Sequence, residues 1–261
     1  MISILMTYNN RIRQLCNTLD SYMHFYRDKL NSFEIVIVED SPEDEEILLK
    51  TLEEKFPKIS FKYKAVDRSK KKFRNPGVLY NLAAELASNE NLLITNPENI
   101  HKGDVLSKVE ELLQDNTYMV FACKSAFQPP AFKNILDDED RYIQSNDPFA
   151  PRGFYQHSKH NNRLLHFLSA IKKTDYQRIG GFDAIYDDGI SVEDNDFVCK
   201  IITEKFDVIT IDEPYCIHQA HNRQPYNYVK EKYDINLNLF IKKWGGPPHE
   251  VLPKMLEKFK K

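Results

Sequence analysis

Three groupings of side chains in this 261-residue sequence have the types and spacing to do chemistry. Glu193-Asp194-Asn195-Asp196 follows a Gly180-Gly181 turn and an acid-rich loop, and opens an apolar-periodic helix (Phe197, Val198, Ile201, Ile202). A helix start stabilises carboxylates through its free N–H groups and dipole. The same position can turn a carboxylate into a cleft as a proton acceptor. The plainer role of such a pair is capping and surface charge. The second grouping is Glu39-Asp40 and the third Asn96-Pro97-Glu98, each closing a short apolar run, as Thr7-Tyr8-Asn9 closes another. Such run-ends could grip a ligand if the runs lie side by side.

The elements that must position them alternate. Apolar runs of strand length occur at 2–6, 33–38, 59–66, 92–95 and 117–123. Between them, apolar residues at three- and four-residue steps predict helices over 11–26, 43–56, 76–88 and 103–114. Strand–helix alternation predicts an α/β fold with a mainly parallel central sheet and helices on both faces. In such sheets ligands sit outside the carboxyl ends of the strands, so Thr7, Tyr8, Asp40, Asn96 and Glu98 belong at one rim. The glycine-rich phosphate cradles G-x-G-x-x-G and G-x-x-x-x-G-K-S/T are absent. A ligand here is therefore held by side chains, alone or with a metal ion.

Residues 124–160 break the pattern with Phe127-Gln128-Pro129-Pro130, Asp137-Asp138-Glu139-Asp140 and Asp147-Pro148, which predicts a functional loop or mobile lid. Residues 164–171 rejoin the core, a strand is expected at 207–211, and a helix at 225–242 ends at Trp244-Gly245-Gly246-Pro247-Pro248. The basic, amphipathic tail 251–261 is expected to pack on the domain, with at most a peripheral membrane contact. No internal repeat or linker interrupts the chain, which reads as a single domain.

Composition narrows the classes. Apolar residues at 41% suffice for a core. A net charge of −3 argues against a nucleic-acid partner, whose footprint would be basic. The scattered Cys16, Cys123, Cys199 and Cys216 show no C-x-x-C spacing and read as buried thiols of a reducing compartment. With no signal-like N-terminus and no apolar run of membrane length, the expected location is cytoplasmic.

Taken together, these segments resemble a family-2 glycosyltransferase of the GT-A fold, an inverting nucleotide-sugar enzyme. Ser3-Ile4-Leu5-Met6-Thr7-Tyr8-Asn9 resembles the family's opening motif, usually written with Pro-Thr-Tyr-Asn. Val38-Glu39-Asp40-Ser41-Pro42-Glu43-Asp44 lies without gaps on its Val-Asp-Asp-Gly-Ser-x-Asp. Arg74-Asn75-Pro76-Gly77 with Asn81 resembles the segment before its third helix, and Gly180-Gly181-Phe182-Asp183 with Glu193-Asp194-Asn195-Asp196 its acceptor-side signature. The chain departs from the family at the metal motif, where Asn96-Pro97-Glu98 replaces Asp-x-Asp. Glu98 falls on the acid that touches the metal, and Asn96 keeps an oxygen but loses a charge. Mn²⁺ or Mg²⁺ is implied, weakly bound or dispensable.

The resemblance divides the chain into a nucleotide-sugar half (1–123), an acceptor and catalytic half (124–224) and a C-terminal helical extension (225–261). It implies that Thr7 and Tyr8 hold the base and ribose, with the ring stacking on the base. Asp40 accepts from the base N3–H, which favours a uridine donor. Arg74 sits by the diphosphate, where the guanidinium fork fits, and Asn96 lies on the same donor side. Asp194 is the general base and Glu193 bonds acceptor hydroxyls, whereas Asp196 is structural. His218 or His221 supplies a late metal ligand. His221 is favoured because it starts a polar turn, whereas His218 ends an apolar strand. The implied partners are a UDP-sugar and a hydroxyl-bearing glycan or glycolipid-type acceptor for a hexosyl or N-acetylhexosaminyl group. The degraded metal motif keeps a second function open, a catalytically weakened protein that binds a glycan or nucleotide.

Overall fold

The computed structural model describes residues 1–40, 45–67, 69, 75–128, 131–143, 147, 149–221 and 225–259. In chain order the strands are β1 (Ile2–Tyr8), β2 (Phe33–Asp40), β3 (Ser60–Val66), β4 (Asn91–Thr95), β5 (Asn99–Lys102), β6 (Thr117–Ser125), β7 (Phe154–Gln156), β8 (Leu168–Lys172) and β9 (Asp207–His218). The α-helices are α1 (Ile12–Phe25), α2 (Glu45–Lys55), α3 (Pro76–Leu86), α4 (Val105–Leu112), α5 (Phe132–Asp137), α6 (Lys173–Arg178), α7 (Glu193–Thr203), α8 (Tyr226–Trp244) and α9 (Pro248–Phe259).

The strands form one sheet in the order β3-β2-β1-β4-β8-β6-β9-β5, with β7 added to β6. β3, β2, β1, β4, β6 and β9 run the same way, and β8 runs against its neighbours β4 and β6. Side chains alternate across each strand and so divide the core into two layers. Ile4, Met6, Ile35 and Ile37 face Leu15, Leu19, Leu48 and Val109 of α1, α2 and α4. Leu5, Val36 and Val38 face Leu79, Ala83, Phe197 and Ile201 of α3 and α7. Helices therefore cover both faces, as the alternation predicts.

Two differences from the sequence expectations have physical reasons. β9 continues past Ile211 to His218 although it contains Pro214, a residue that normally ends a strand. Its pairing with β6 shifts register between Phe121 and Cys123, which accommodates the interruption. The first half of the expected lid is packed instead. Phe132, Ile135 and Tyr142 form a third apolar cluster with Ile100 and Ile217. Glu139 anchors it by ion pairs to Lys102 (3.3 Å) and Lys124. The amphipathic tail packs on the domain as expected, Val251, Leu252, Met255 and Leu256 joining the core layer that holds α7. Among the described residues no helix is long and apolar enough to cross a membrane. The four cysteines are free thiols, and Cys123, Cys199 and Cys216 are buried.

Candidate active site

The carboxyl ends of β1, β2 and β4 open into a cleft of about 390 Å³, within the size range of small-molecule sites. Thr7, Tyr8, Asp40, Asn96, Glu98, Glu193, Asp194 and His221 all line it. Residues separated by more than 150 positions, Asp40 and Asp194 among them, thus share one cavity with Glu98.

Glu98 is the buried centre of the donor set. Its Oε1 accepts from Arg11 Nη1 at 2.5 Å and lies 3.5 Å from His218 Nε2 and 3.6 Å from His221 Nε2. Burial alone would raise its pKa, but the bond to His218 and the charges of Arg11 and the two imidazoles dominate and bring it down to about 2. Glu98 is therefore a carboxylate at neutral pH, although it is only 3% exposed. One donor atom from each of Glu98, His218 and His221 lies within 4.8 Å of the others. Two donors bound to one small ion at about 2.1 Å and at tetrahedral-like angles are roughly 3.4 Å apart, so the set fits a divalent cation. The buried Glu98 Oε2 has no hydrogen-bond partner, as expected of an oxygen left for a ligand. His218 is held edge-on by Tyr155 and Phe167. His218 and His221 stand about equally near Glu98, and of the two it is His221 that lines the cleft. Asn96 lines the same cleft. Its Oδ1 accepts from Tyr80 Oη at 2.5 Å, the phenol's single proton being shared with the Thr95 carbonyl at 2.9 Å.

The acidic helix start is aimed by contacts that join two of the sequence motifs. Asn81 of α3 donates to the Phe182 carbonyl and accepts from the Phe182 N–H, which fixes the Gly180-Gly181 turn. Both glycines have positive φ, and a Cβ on Gly181 would meet Asn81 and Tyr176. Asn75 caps α3 by accepting from Gly77 N, and donates to the Tyr186 carbonyl (2.9 Å) and Glu193 Oε2 (3.4 Å). Ser191 (φ 64°) and Val192 (φ 75°) then take consecutive left-handed conformations to enter α7. For a β-branched residue that is strained, and such strain gathers at functional sites. From α8, Asn236 holds this turn by donating to the carbonyls of Tyr186 (3.0 Å) and Ser191 (2.8 Å). Asp196 is structural, as expected. It is fully buried and accepts from Tyr186 Oη, Trp244 Nε1 and Lys243 Nζ. Glu193 and Asp194 are left facing the cleft.

On the nucleotide side the expectations fare unevenly. Thr7 and Asp40 line the cleft, and Asp40 is 4% exposed. Tyr8 also borders it, but its side chain is 1% exposed and packed in the α1-side core. The ring face needed to stack on a base is covered, because position 8 continues the inward alternation of β1. Arg74, the expected diphosphate ligand, lies outside the described residues, as do 41–44 of the second motif. Sequence reasoning passed over Arg11 and His166, both of which line the cleft. Arg11 directly follows the Thr7–Asn10 turn, a signal obscured because it also begins a helical period. His166 sits in an apolar run that carries no such signal.

The sequence matches no protein-family model and no curated protein. Solved structures do match the fold. The mannosyltransferase PcManGT from Pyrobaculum calidifontis, in complex with GDP-Man and Mn²⁺, superposes at a TM-score of 0.59 and 18% identity, over 99% of this chain and 68% of that one. Staphylococcus aureus TarS 1-349 in complex with UDP-GlcNAc gives 0.67 at 13%, over 98% and 71%. A mutant Drosophila β-1,4-galactosyltransferase 7, in complex with manganese, UDP-Gal and xylobiose, gives 0.51 at 12%, over 88% and 78%. Against the longer TarS structure the chain spans 42% of the neighbour's length. The fold is therefore the GT-A fold of nucleotide-sugar glycosyltransferases.

Proposed function

We propose that the protein is an inverting glycosyltransferase that moves a hexosyl or N-acetylhexosaminyl group from a nucleotide-sugar, foremost a UDP-sugar, to a hydroxyl of a glycan or glycoconjugate. The observation that carries this reading is the convergence, in one cleft, of the Glu98–His218–His221 donor set with the Glu193–Asp194 helix start. The nucleotide-sugars bound by the three structural neighbours, and the manganese held by two of them, support it.

On this reading Thr7 and Asp40 hold the nucleoside, Asp40 accepting from a base N–H, and Arg11 with Arg74 meets the diphosphate. Glu98 with His218 or His221 would hold Mn²⁺ or Mg²⁺, which would supply Lewis-acid neutralisation of charge on the diphosphate. Glu193 orients the acceptor by bonding a neighbouring hydroxyl. Asp194 takes the proton of the attacking hydroxyl as its oxygen bonds to the anomeric carbon, and the carbon–diphosphate bond breaks on the opposite face. The chain works as one GT-A domain, with residues 1–123 binding the donor and 124–224 the acceptor.

Incubation with UDP-, GDP- and dTDP-sugars and Mn²⁺, followed by assay of nucleotide release, tests the proposal. UDP release that depends on Asp194 is the expected result. Silence across the panel, with no nucleotide binding by calorimetry, removes it. Nucleotide binding without turnover, unchanged by Asp194→Asn, favours the binding-protein reading, which the Tyr80-engaged Asn96 keeps open.

A further inference from the structure

Residues 165–167, which lead into β8, form part of the cleft wall and include His166. Its ring stands edge-on to Tyr80 (centroids 5.3 Å apart, 81°) and Phe182 (4.8 Å, 68°). The residue is 9% exposed, and Nδ1 is buried without a hydrogen-bond partner. Nε2 has no protein partner among the described residues but is not one of the buried orphans, so it is the ring atom that keeps access to the cleft. Burial lowers the pKa of His166 and the Asp194 carboxylate works weakly against it. At neutral pH the imidazole therefore offers one N–H and one lone pair.

An aromatic pocket with no polar partner is better filled by phenylalanine, because a buried unpaired nitrogen costs stability. A histidine here is explained by what enters the cleft. Tyr80, which His166 touches, holds Asn96 at the end of β4, and Asp194 is near enough to act on the ring. His166 thus borders the cleft on the Asn96 side, through Tyr80, and within electrostatic reach of Asp194, the expected base. In a nucleotide-sugar the group between those two points is the sugar being transferred. A neutral imidazole suits a hydroxyl, which both donates and accepts, better than a phosphate, which calls for a cation.

We propose that His166 is a specificity-determining residue of the donor-sugar subsite, its Nε2 hydrogen-bonding a hydroxyl of the transferred sugar. The inference rests on the reading of the cleft as a nucleotide-sugar site. Its test is calorimetric binding of UDP, and separately of UDP-glucose, UDP-galactose and UDP-GlcNAc with Mn²⁺, to the native chain, His166→Phe and His166→Gln. Phenylalanine keeps the packing and removes both nitrogens, and glutamine returns a polar group near Nε2. Expected are a melting temperature in His166→Phe at or above the native one, UDP affinity within about twofold, and UDP-sugar affinity about tenfold weaker. Glutamine should recover part of that loss. Should phenylalanine prevent folding, His166→Leu gives the same comparison. Unchanged UDP-sugar affinity, or equal losses for UDP and UDP-sugar, overturns the inference while leaving the glycosyltransferase reading intact. A native chain that binds no nucleotide overturns both, and that result is read before any variant is made.

Discussion

Replacing Asn236 with alanine should separate folding from catalytic aim. The residue is fully buried on α8, and its side-chain amide donates to Tyr186 O and Ser191 O, 3.0 and 2.8 Å away. The Tyr186 carbonyl also accepts from Asn75, so losing that bond costs about 1 kcal/mol. Ser191 is exposed, so water can take the donor's place and losing that bond costs about 0.5–1.5 kcal/mol. The total, about 1.5–2.5 kcal/mol, corresponds to a fall in Tm of roughly 3–10 °C for a chain of this size. Ser191 and Val192 hold left-handed conformations that cost about 1–3 kcal/mol each. The lost restraint is comparable with the strain it holds, so the turn should relax and carry Glu193 and Asp194 with it. A displacement near 1 Å at a reacting group costs on the order of 10²-fold. Urea denaturation measures the first effect, and UDP release at saturating donor, well below the new Tm, measures the second. A variant that is destabilised but turns over at the native rate would refute the idea that α8 aims the helix start. A variant of native stability would refute the hydrogen-bond accounting itself.

Other outcomes follow from the same geometry. Asp194→Asn should lower turnover by about 10²- to 10⁴-fold while leaving UDP affinity unchanged, because a proton acceptor is lost and no nucleotide contact is; calorimetry and UDP release read the two separately. Glu98→Gln should weaken Mn²⁺ binding by at least about tenfold, since an amide replaces the one carboxylate of the donor set; equal Mn²⁺ titrations of native and variant chains would exclude Glu98 as a ligand. His101 is fully buried, and burial lowers its pKa to about 3. Between pH 6.5 and 3 the unfolded chain therefore binds a proton there that the folded chain refuses. Stability is fully present above pH 6.5 and falls with acidification by up to about 1.4 kcal/mol per pH unit. His101→Gln should flatten that slope in urea midpoints measured from pH 7 to 4.

Much of the fold is local information. The apolar periods at 2–6, 33–38 and 92–95 become β1, β2 and β4, and the carboxyl ends of strands in a parallel sheet must share a rim. That is why the sequence alone puts Asp40, Asn96 and Glu98 together. Elements whose residues contradict the local rules were not legible. β9 runs through Pro214 because the shifted pairing with β6 absorbs it. The 124–143 segment looks like a loop until Ile100 and Ile217 supply its apolar partners. At Tyr8, residue type and place at the rim point to a ligand role. Its ring faces inward because the two-residue period of β1 continues to the strand's last residue.

The sequence by itself determined the layer architecture, the rim and the acidic helix start, since each follows from the spacing of residues along a short stretch. Tertiary structure alone decided that Arg11 meets Glu98, that both histidines stand equally close to it, that Tyr80 occupies Asn96, and that His166 faces the cleft. Those pairings link residues from about 16 to more than 120 positions apart, and their geometry is set by how the sheet and its two helical layers pack. No local period encodes the distance between such side chains, because it arises only when the whole core closes.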